Sequence, residues 1–342
     1  MARPSVFLDA EMDAGSVRRT DARLLLLAAY YTVIGVATEV EVLRALGEEP
    51  TGRSLVRRPA ELLGFLRSAL VTRCSAWMCA MTIRTSPWPP GTPCWADLTV
   101  PDPDRAKAFY AAVLGWSYTD AGDEFGGYVS ALVDGSAVAG IGPHQQPGPV
   151  AWTLYLATVD VDATAELVTA HGGTVILPAG DVGDLGRMAM ATDPAGAVFG
   201  VWQAGTHIGA ALANEPGGIA WEDLRSTDPA AAWSFYEAVF GHETRLLEMA
   251  GPDYRTFHHP GDDAPLGGMG GMMGAEGASH WLVYFSVAST DDAVAAAEGA
   301  GGIVVASAFD SPFGRMAGVA DPFGARFMLH QNTGQPQPDR AG

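Results

Sequence analysis

Two short motifs hold the side chains best suited to chemistry: Trp95-Ala96-Asp97 and, 126 residues on, Trp221-Glu222-Asp223. In an extended strand alternate residues share a face, so each motif sets an indole beside a carboxylate, with Thr99 and Arg225 next along the same faces. A carboxylate turned toward an enclosed apolar surface must be paired or hydrated. With a raised pKa it can serve as a base, and it can hydrogen-bond a ligand hydroxyl. Asp97 and Asp223 are therefore the catalytic candidates; the competing reading is a carboxylate at a surface rim. Arg187 and Arg315 recur in two Gly-Arg-Met motifs. Each could clamp an anion, but bracing of a hairpin is the simpler role. His258 and His259 are neighbours in one strand and point to opposite faces, which weakens them as a metal pair. His280 stands by itself.

The elements that must position these residues are written twice. Gly186–Trp202 (GRMAMATDPAGAVFGVW) returns as Gly314–His330 (GRMAGVADPFGARFMLH), each a strand, a D-P-x-G turn and a second strand. Trp95–Trp116 matches Trp221–His242: an alternating apolar run ends at a D-P turn and gives way to helix periodicity, with Phe109 and Val113, or Phe235 and Val239, inward. Each helix stops at a glycine, Gly115 or Gly241. Strands are predicted from Tyr128 to Val133 and from Tyr254 to His259, then Gly-rich strand ends at Gly140–Gly142 and Gly268–Gly270. Ala151–Asp160 and His280–Ser289 begin the second half of each unit, followed by an Ala-rich helix, a Gly-Gly pair, a strand and the repeated hairpin. The chain thus reads as four β-α-β-β-β modules in two pairs, an α+β duplication and not a solenoid. Pairing two modules would cover one module's sheet edge and apolar face. Residues 93–203 and 219–332 form the two pairs, 204–218 a linker and 333–342 a disordered tail.

Composition separates off the first 80 residues. They hold ten arginines against nine acidic residues, whereas residues 81–342 hold ten basic against thirty acidic ones. The net charge of −19 argues against nucleic acid or an anionic membrane as partner. Residues 1–92 are read as an N-terminal extension, helical or poorly ordered, with helix patterns near 21–46 and 60–72. Met81 and the Pro-rich stretch after it read as a domain start, and an upstream start codon is one source of what precedes it. The apolar run Leu24–Ala37 is short of the ~20 residues needed to span a bilayer. It follows Arg18, Arg19 and Arg23, as in a signal peptide, but four acidic residues precede it and no A-x-A-type site opens onto a new domain. It is read as a buried or loosely packed helix. Cys74, Cys79 and Cys94 match no zinc or redox spacing and read as reduced thiols of a cytoplasmic protein.

The pattern D-P-x-x-A-x-x-F-Y-x-x-x-L/F-G, a helix ending in Gly-Gly, then G-R-M and D-P-x-G, resembles the vicinal oxygen chelate superfamily of glyoxalase I, bleomycin-resistance proteins and extradiol dioxygenases. The resemblance covers about residues 93–332 and is greatest to two-domain actinobacterial members labelled glyoxalase-like or hydroxylase. It implies that each pair of modules curls into a half-open barrel with the ligand on its concave face. In the metalloenzymes four strands supply His, Gln or Glu to one divalent ion. Those positions fall here on Trp95, Gly140, Leu154 or its neighbour Thr153, and Gly200. In the second pair they fall on Trp221, Gly268, Leu282 or its neighbour Trp281, and Met328. None is an imidazole or carboxylate, so no metal and no other cofactor is expected. His280 is the one shifted candidate and cannot hold an ion alone.

On the same implied faces Tyr155, Trp202, Tyr284 and His330 join Trp95 and Trp221 as ligand-binding candidates. Such rings could stack a planar ligand at ~0.5–1.5 kcal/mol per pair beyond burial; the plainer role is to fill the barrel. Two functions remain open. One is a metal-independent binding or accessory protein for a small molecule, in natural-product metabolism or resistance. The other is an enzyme: a metal-dependent glyoxalase-type isomerase or lyase, an oxygenase-type member acting on a small oxygenated substrate, or a metal-free catalyst using Asp97 or Asp223. The expected partner is a small-molecule ligand; a homodimer is left open.

Overall fold

A computed structural model describes residues 83–332, apart from 121–124, 145–147 and 275. The extension's predicted helices, the run Leu24–Ala37, Cys74, Cys79 and the tail 333–342 lie outside the described residues.

Each repeat forms one eight-stranded sheet. In the first, β1 (Pro93–Val100), β2 (Ser117–Asp120), β3 (Val129–Val133), β4 (Ser136–Pro143), β5 (Trp152–Thr158), β6 (Thr174–Val182), β7 (Gly186–Thr192) and β8 (Val198–Ala204) run in the order β2-β3-β4-β1-β5-β8-β7-β6. In the second, β9 (Ile219–Ser226), β10 (Glu243–Leu246), β11 (Tyr254–His258), β12 (Pro265–Gly271), β13 (His280–Ser286), β14 (Ile303–Ser311), β15 (Gly314–Ala320) and β16 (Arg326–Gln331) repeat that order. The two modules of a repeat join where β1 meets β5, or β9 meets β13, antiparallel. The outermost strands of each sheet do not meet, so the barrel stays half open. The short edge strands β2 and β10 were not marked by any alternating apolar run.

Helices α1 (Pro103–Leu114), α2 (Val161–Ala170), α3 (Pro229–Phe240) and α4 (Thr290–Gly299) cross over between strands. The D-P signal works as an N-cap: Asp102 accepts the Arg105 N–H and Asp228 that of Ala231. Gly115 and Gly241 end α1 and α3 in the left-handed conformation, φ 73° and 71°. In the D-P-x-G turns Asp193 accepts from the N–H groups of Ala195 and Ala197, and Asp321 from those of Phe323 and Ala325.

The repeats do not keep separate cores. Phe109, Val113 and Leu114 of α1 are buried in one cluster with Phe285 of β13, Ala293 of α4 and Phe327 of β16. Leu154 of β5 and Phe199 of β8 are buried with Leu224 of β9 and Phe235 and Tyr236 of α3. Pairing modules within a repeat covers the sheet edge, as expected, but the helix-bearing apolar face is covered by the other repeat. The segment between the sheets is also tied in: the Ala210 N–H bonds the Cys94 carbonyl, and that of Gly217 the Ser286 carbonyl.

Candidate functional site

The face of each sheet away from the shared cores forms a cup. Strand pairing sets Asp97 beside Gly140 and Thr153, and Tyr155 beside Trp95 and Gly200. The matching register in the second repeat sets Asp223 beside Gly268 and Leu282, and Tyr284 beside Trp221 and Met328. Leu154 and Trp281 lie in the shared core, so the cup-facing residues at the third inherited position are Thr153 and Leu282.

In the first cup Trp95, Tyr155 and Trp202 are buried together. The Tyr155 hydroxyl donates to Asp97 Oδ2 at 3.0 Å, and the Trp95 indole N–H donates to the Tyr128 hydroxyl at 2.9 Å. Tyr128 in turn bonds Asp97. The Trp95 ring meets His207 edge-on, with ring centroids 4.5 Å apart, and the Trp202 indole donates to the His207 carbonyl. These aromatics are only 5–7% exposed, so they line the cup by filling its floor. The open side carries Asp97 and Tyr128, both half-buried, and the exposed Thr99. Burial pushes the Asp97 carboxyl up to about 7, against the opposing pull of the Tyr155 and Tyr128 hydroxyls. Among the described residues no Lys or Arg forms an ion pair with it.

The second cup keeps the frame and adds a cation. Asp223 Oδ1 accepts from Tyr254 at 2.6 Å and Trp221 at 2.9 Å; Oδ2 accepts from Tyr284 at 2.6 Å and from the Arg225 guanidinium at 2.5 Å. Both carboxylate oxygens are saturated. Burial alone would lower the Arg225 pKa, but the Asp223 charge and the neighbouring tyrosines raise it. Arg225 also touches the Met273 sulfur. His330, at the place of Trp202, is 3% exposed and donates to the Phe313 carbonyl at 2.7 Å.

The six ligand-binding candidates and two aspartates therefore fall three and one to each cup, as the strand parity requires. Tyr128 and Tyr254 were missed as site residues: Tyr128 immediately precedes β3 and Tyr254 opens β11, and the reach of each ring over the neighbouring strand to the one beyond is not written in local pattern. His207, in the segment after β8, gave no signal either. Arg187 bonds Asp181 and Asp162, and Arg315 bonds Asp291 and Asp310, so both brace the hairpin against a helix and neither enters a cup. The His258 and His259 rings bond different threonines, Thr256 and Thr92, and His280 bonds the Ala278 carbonyl near the surface.

The inherited metal positions do not suit an ion. A Cβ built on Gly140 would lie 1.6 Å from the Tyr128 hydroxyl, one on Gly200 2.1 Å from Tyr155 Cδ1, and one on Gly268 1.8 Å from the Tyr254 hydroxyl. Tyrosines occupy the space that ligating side chains would need. Among the described residues no three His, Cys, Asp or Glu side chains gather into a metal-holding group. Nor, among them, is any helix long and apolar enough to cross a membrane.

The family model of the Glyoxalase/Bleomycin resistance protein/Dioxygenase superfamily matches residues 94–201 and 209–329. CFP32 of Mycobacterium tuberculosis, named as a candidate glyoxylase, is 43% identical over 248 residues, covering 70% of this chain and 94% of that protein. The anthracycline biosynthesis protein DauV of a Streptomyces species is 38% identical over 258 residues, covering 70% and 93%. The 2,3-dioxygenase LapB of Pseudomonas sp. KL28 aligns over 77% of this chain and 97% of its own, with TM-score 0.51 and 18% identity. The Mn(II)-bound glyoxalase of Novosphingobium aromaticivorans aligns over 71% and 82%, with TM-score 0.50 and 18% identity. At that identity the two structures share the fold and no more.

Proposed function

Because the chain belongs to the glyoxalase, bleomycin-resistance and dioxygenase superfamily, we propose that it is a metal-independent member that binds a small molecule, as an accessory protein of natural-product metabolism or resistance. One observation carries this reading: tyrosine rings stand over the glycines at the inherited ligand positions, and their hydroxyls serve an aspartate instead of an ion. An apolar aromatic floor with a few convergent polar groups is the usual make-up of a small-molecule site. The relative named for anthracycline biosynthesis supports a planar, oxygenated ligand. The test is metal analysis of the purified full chain, with binding of a neutral polycyclic hydroxyquinone followed by tryptophan fluorescence. Affinity should be unchanged by chelator, and Trp95→Ala should weaken it by ~1–3 kcal/mol, as for a buried aromatic anchor. Stoichiometric zinc, nickel, iron or manganese, with function lost on its removal, would overturn the reading.

A second reading is favoured by the state of Asp97. A half-buried carboxyl pushed up to about 7 between two hydroxyls is matched to proton transfer near neutral pH. In that case the protein is a metal-free isomerase or lyase. Asp97→Asn would then abolish turnover while leaving the affinity for substrate nearly intact.

A further inference from the structure

Two cups of common origin hold the same carboxylate, and among the described residues only the second supplies a counter-charge, Arg225. Position 99 stands to Asp97 as position 225 stands to Asp223: Thr99 pairs with Gly142 in the parallel ladder, and Arg225 with Gly270. The tyrosine across from each matches as well. Tyr128 leans over Gly140 and Gly142, and Tyr254 over Gly268 and Gly270. In the second cup the Arg225 guanidinium fills the corner between these groups. It bonds Asp223 Oδ2 at 2.5 Å, and its central carbon stands 5.9 Å from the Tyr254 ring centroid, a cation over an aromatic face. In the first cup that corner is lined by Asp97, Tyr128 and Tyr155, and the short, exposed Thr99 brings no charge to it.

We propose that the first cup binds an organic ammonium ion whose charged nitrogen takes the place that Arg225 fills in the second cup, while the second cup is closed by its own arginine. This rests on the small-molecule-binding reading above and names the class of ligand. A primary or secondary ammonium meets the carboxylate through charge-assisted hydrogen bonds, and its carbon frame lies against the Tyr128 and Tyr155 rings. A desolvated carboxylate held by hydroxyls but without a counter-charge is costly, so the ligand's charge is stabilised by a group already partly removed from water. The thirty acidic side chains of residues 81–342 favour the approach of a cation over long range. Asp97 itself stays partly protonated at neutral pH in the free cup, and an ammonium draws it to the charged form.

The experiment uses the full chain and a matched pair of probes: benzylammonium and its neutral counterpart benzyl alcohol, titrated by calorimetry and tryptophan fluorescence at pH 8. The ammonium should bind at one site per chain, at least tenfold tighter than the alcohol. Asp97→Asn should remove that preference, and Thr99→Arg should abolish ammonium binding by building the second cup's arrangement into the first. Arg225→Thr opens the second corner: the chain should take two ammonium ions, or, where that variant is destabilised, benzylammonium should raise its melting temperature more than it raises that of the parent. Equal affinity for the two probes, binding that survives Thr99→Arg, or a preference that survives Asp97→Asn would overturn the proposal. A neutral polycycle that binds without any cation preference sinks this inference alone. Failure of every aromatic probe together with a stoichiometric metal sinks the reading beneath it.

Discussion

The Tyr155 ring lies against Gly200 from its root outward, so that a Cβ at Gly200 would fall within 2.7 Å of three of its ring carbons. The Gly140–Tyr128 contact is tight only at the tip, where the hydroxyl reaches the glycine, and Tyr128 is half-buried. A tip can swing aside; a ring held at its root among buried neighbours cannot. Gly200→Ala should therefore destabilise by about 1–3 kcal/mol, the usual cost of overfilling a rigid site, and Gly140→Ala by less. Urea denaturation of both variants gives the comparison, and a larger loss for Gly140→Ala would contradict this account of the cup floor.

The two aspartates should respond in opposite ways to the same substitution. Asp223→Asn removes the charge that holds Arg225, whose side chain is 12% exposed, and leaves a desolvated guanidinium unpaired. A loss of about 3–5 kcal/mol is expected for breaking a buried pair. Asp97 has no cation partner among the described residues, and its folded pKa is raised to about 7 by burial, above the unfolded value of 3.8. The stability it contributes is present when it is protonated and is lost as pH rises through 7. Asp97→Asn should accordingly raise the melting temperature at pH 8 and change it little at pH 4. A stabilised Asp223→Asn, or an Asp97→Asn chain destabilised at pH 8, would show that the asymmetry between the cups is misread.

Much of this arrangement is legible in the sequence, and the reasons are local. Caps such as Asp102 and Gly115, the turn at Asp193 and the two-residue parity that sets Trp95 beside Asp97 depend on neighbours a few positions away, so residue type alone signals them. The duplication made each signal visible twice. What could not be read depends on register between distant strands. Nothing near Tyr128 says that its ring stands over Gly140 of the neighbouring strand β4 and its hydroxyl reaches Trp95 on β1 beyond, and nothing near position 154 separates Leu154, which faces the core, from Thr153, which faces the cup. Phe109 announces that it is buried, but not that Phe327, more than two hundred residues away, helps to bury it.

Acid should weaken the fold through His242. Its ring is 4% exposed, stacked on Phe240 and tilted against Phe257; Nε2 bonds the Gly91 carbonyl at 2.8 Å, and Nδ1 has no hydrogen-bond partner among the described residues. Burial holds its pKa at about 4, below the ordinary 6.5, helped a little by nearby His259 and opposed by the Gly91 bond. The unfolded chain takes up the proton between these values and the fold does not. Stability is thus complete above about pH 6.5 and lost as pH falls toward 4, by about 3 kcal/mol at the lower end. The measurement is urea unfolding at pH 7.5 and 4.5 for the parent and for His242→Phe. The parent should lose about 1–3 kcal/mol more than the variant between the two pH values; parallel losses would remove His242 from the account.

The last prediction follows from the shared cores. One cluster joins α1 and its sheet to β13, α4 and β16, and the other joins β5 and β8 to β9 and α3. The Tyr110 hydroxyl, buried in the first, donates to Asp321 Oδ2 in the opposite repeat at 3.1 Å and accepts the Trp152 indole N–H at 3.1 Å. Cutting the chain between the sheets would leave each half with its barrel paired along β1 and β5, or β9 and β13, but would bare the apolar surface that it buries against the other repeat. Burial of apolar area supplies most of the folding free energy, at roughly 25 cal/mol per Å², so neither half should stand alone as a monomer. Residues 83–208 and 209–332, produced separately, should be unfolded or self-associated by circular dichroism and sedimentation. Produced together, they should recover the melting profile of the joined pair. Because the halves share a fold, a half that pairs with its own copy is consistent with this account. A monomeric half with a cooperative transition near that of the full chain is not, and would mean that each repeat carries a sufficient core of its own.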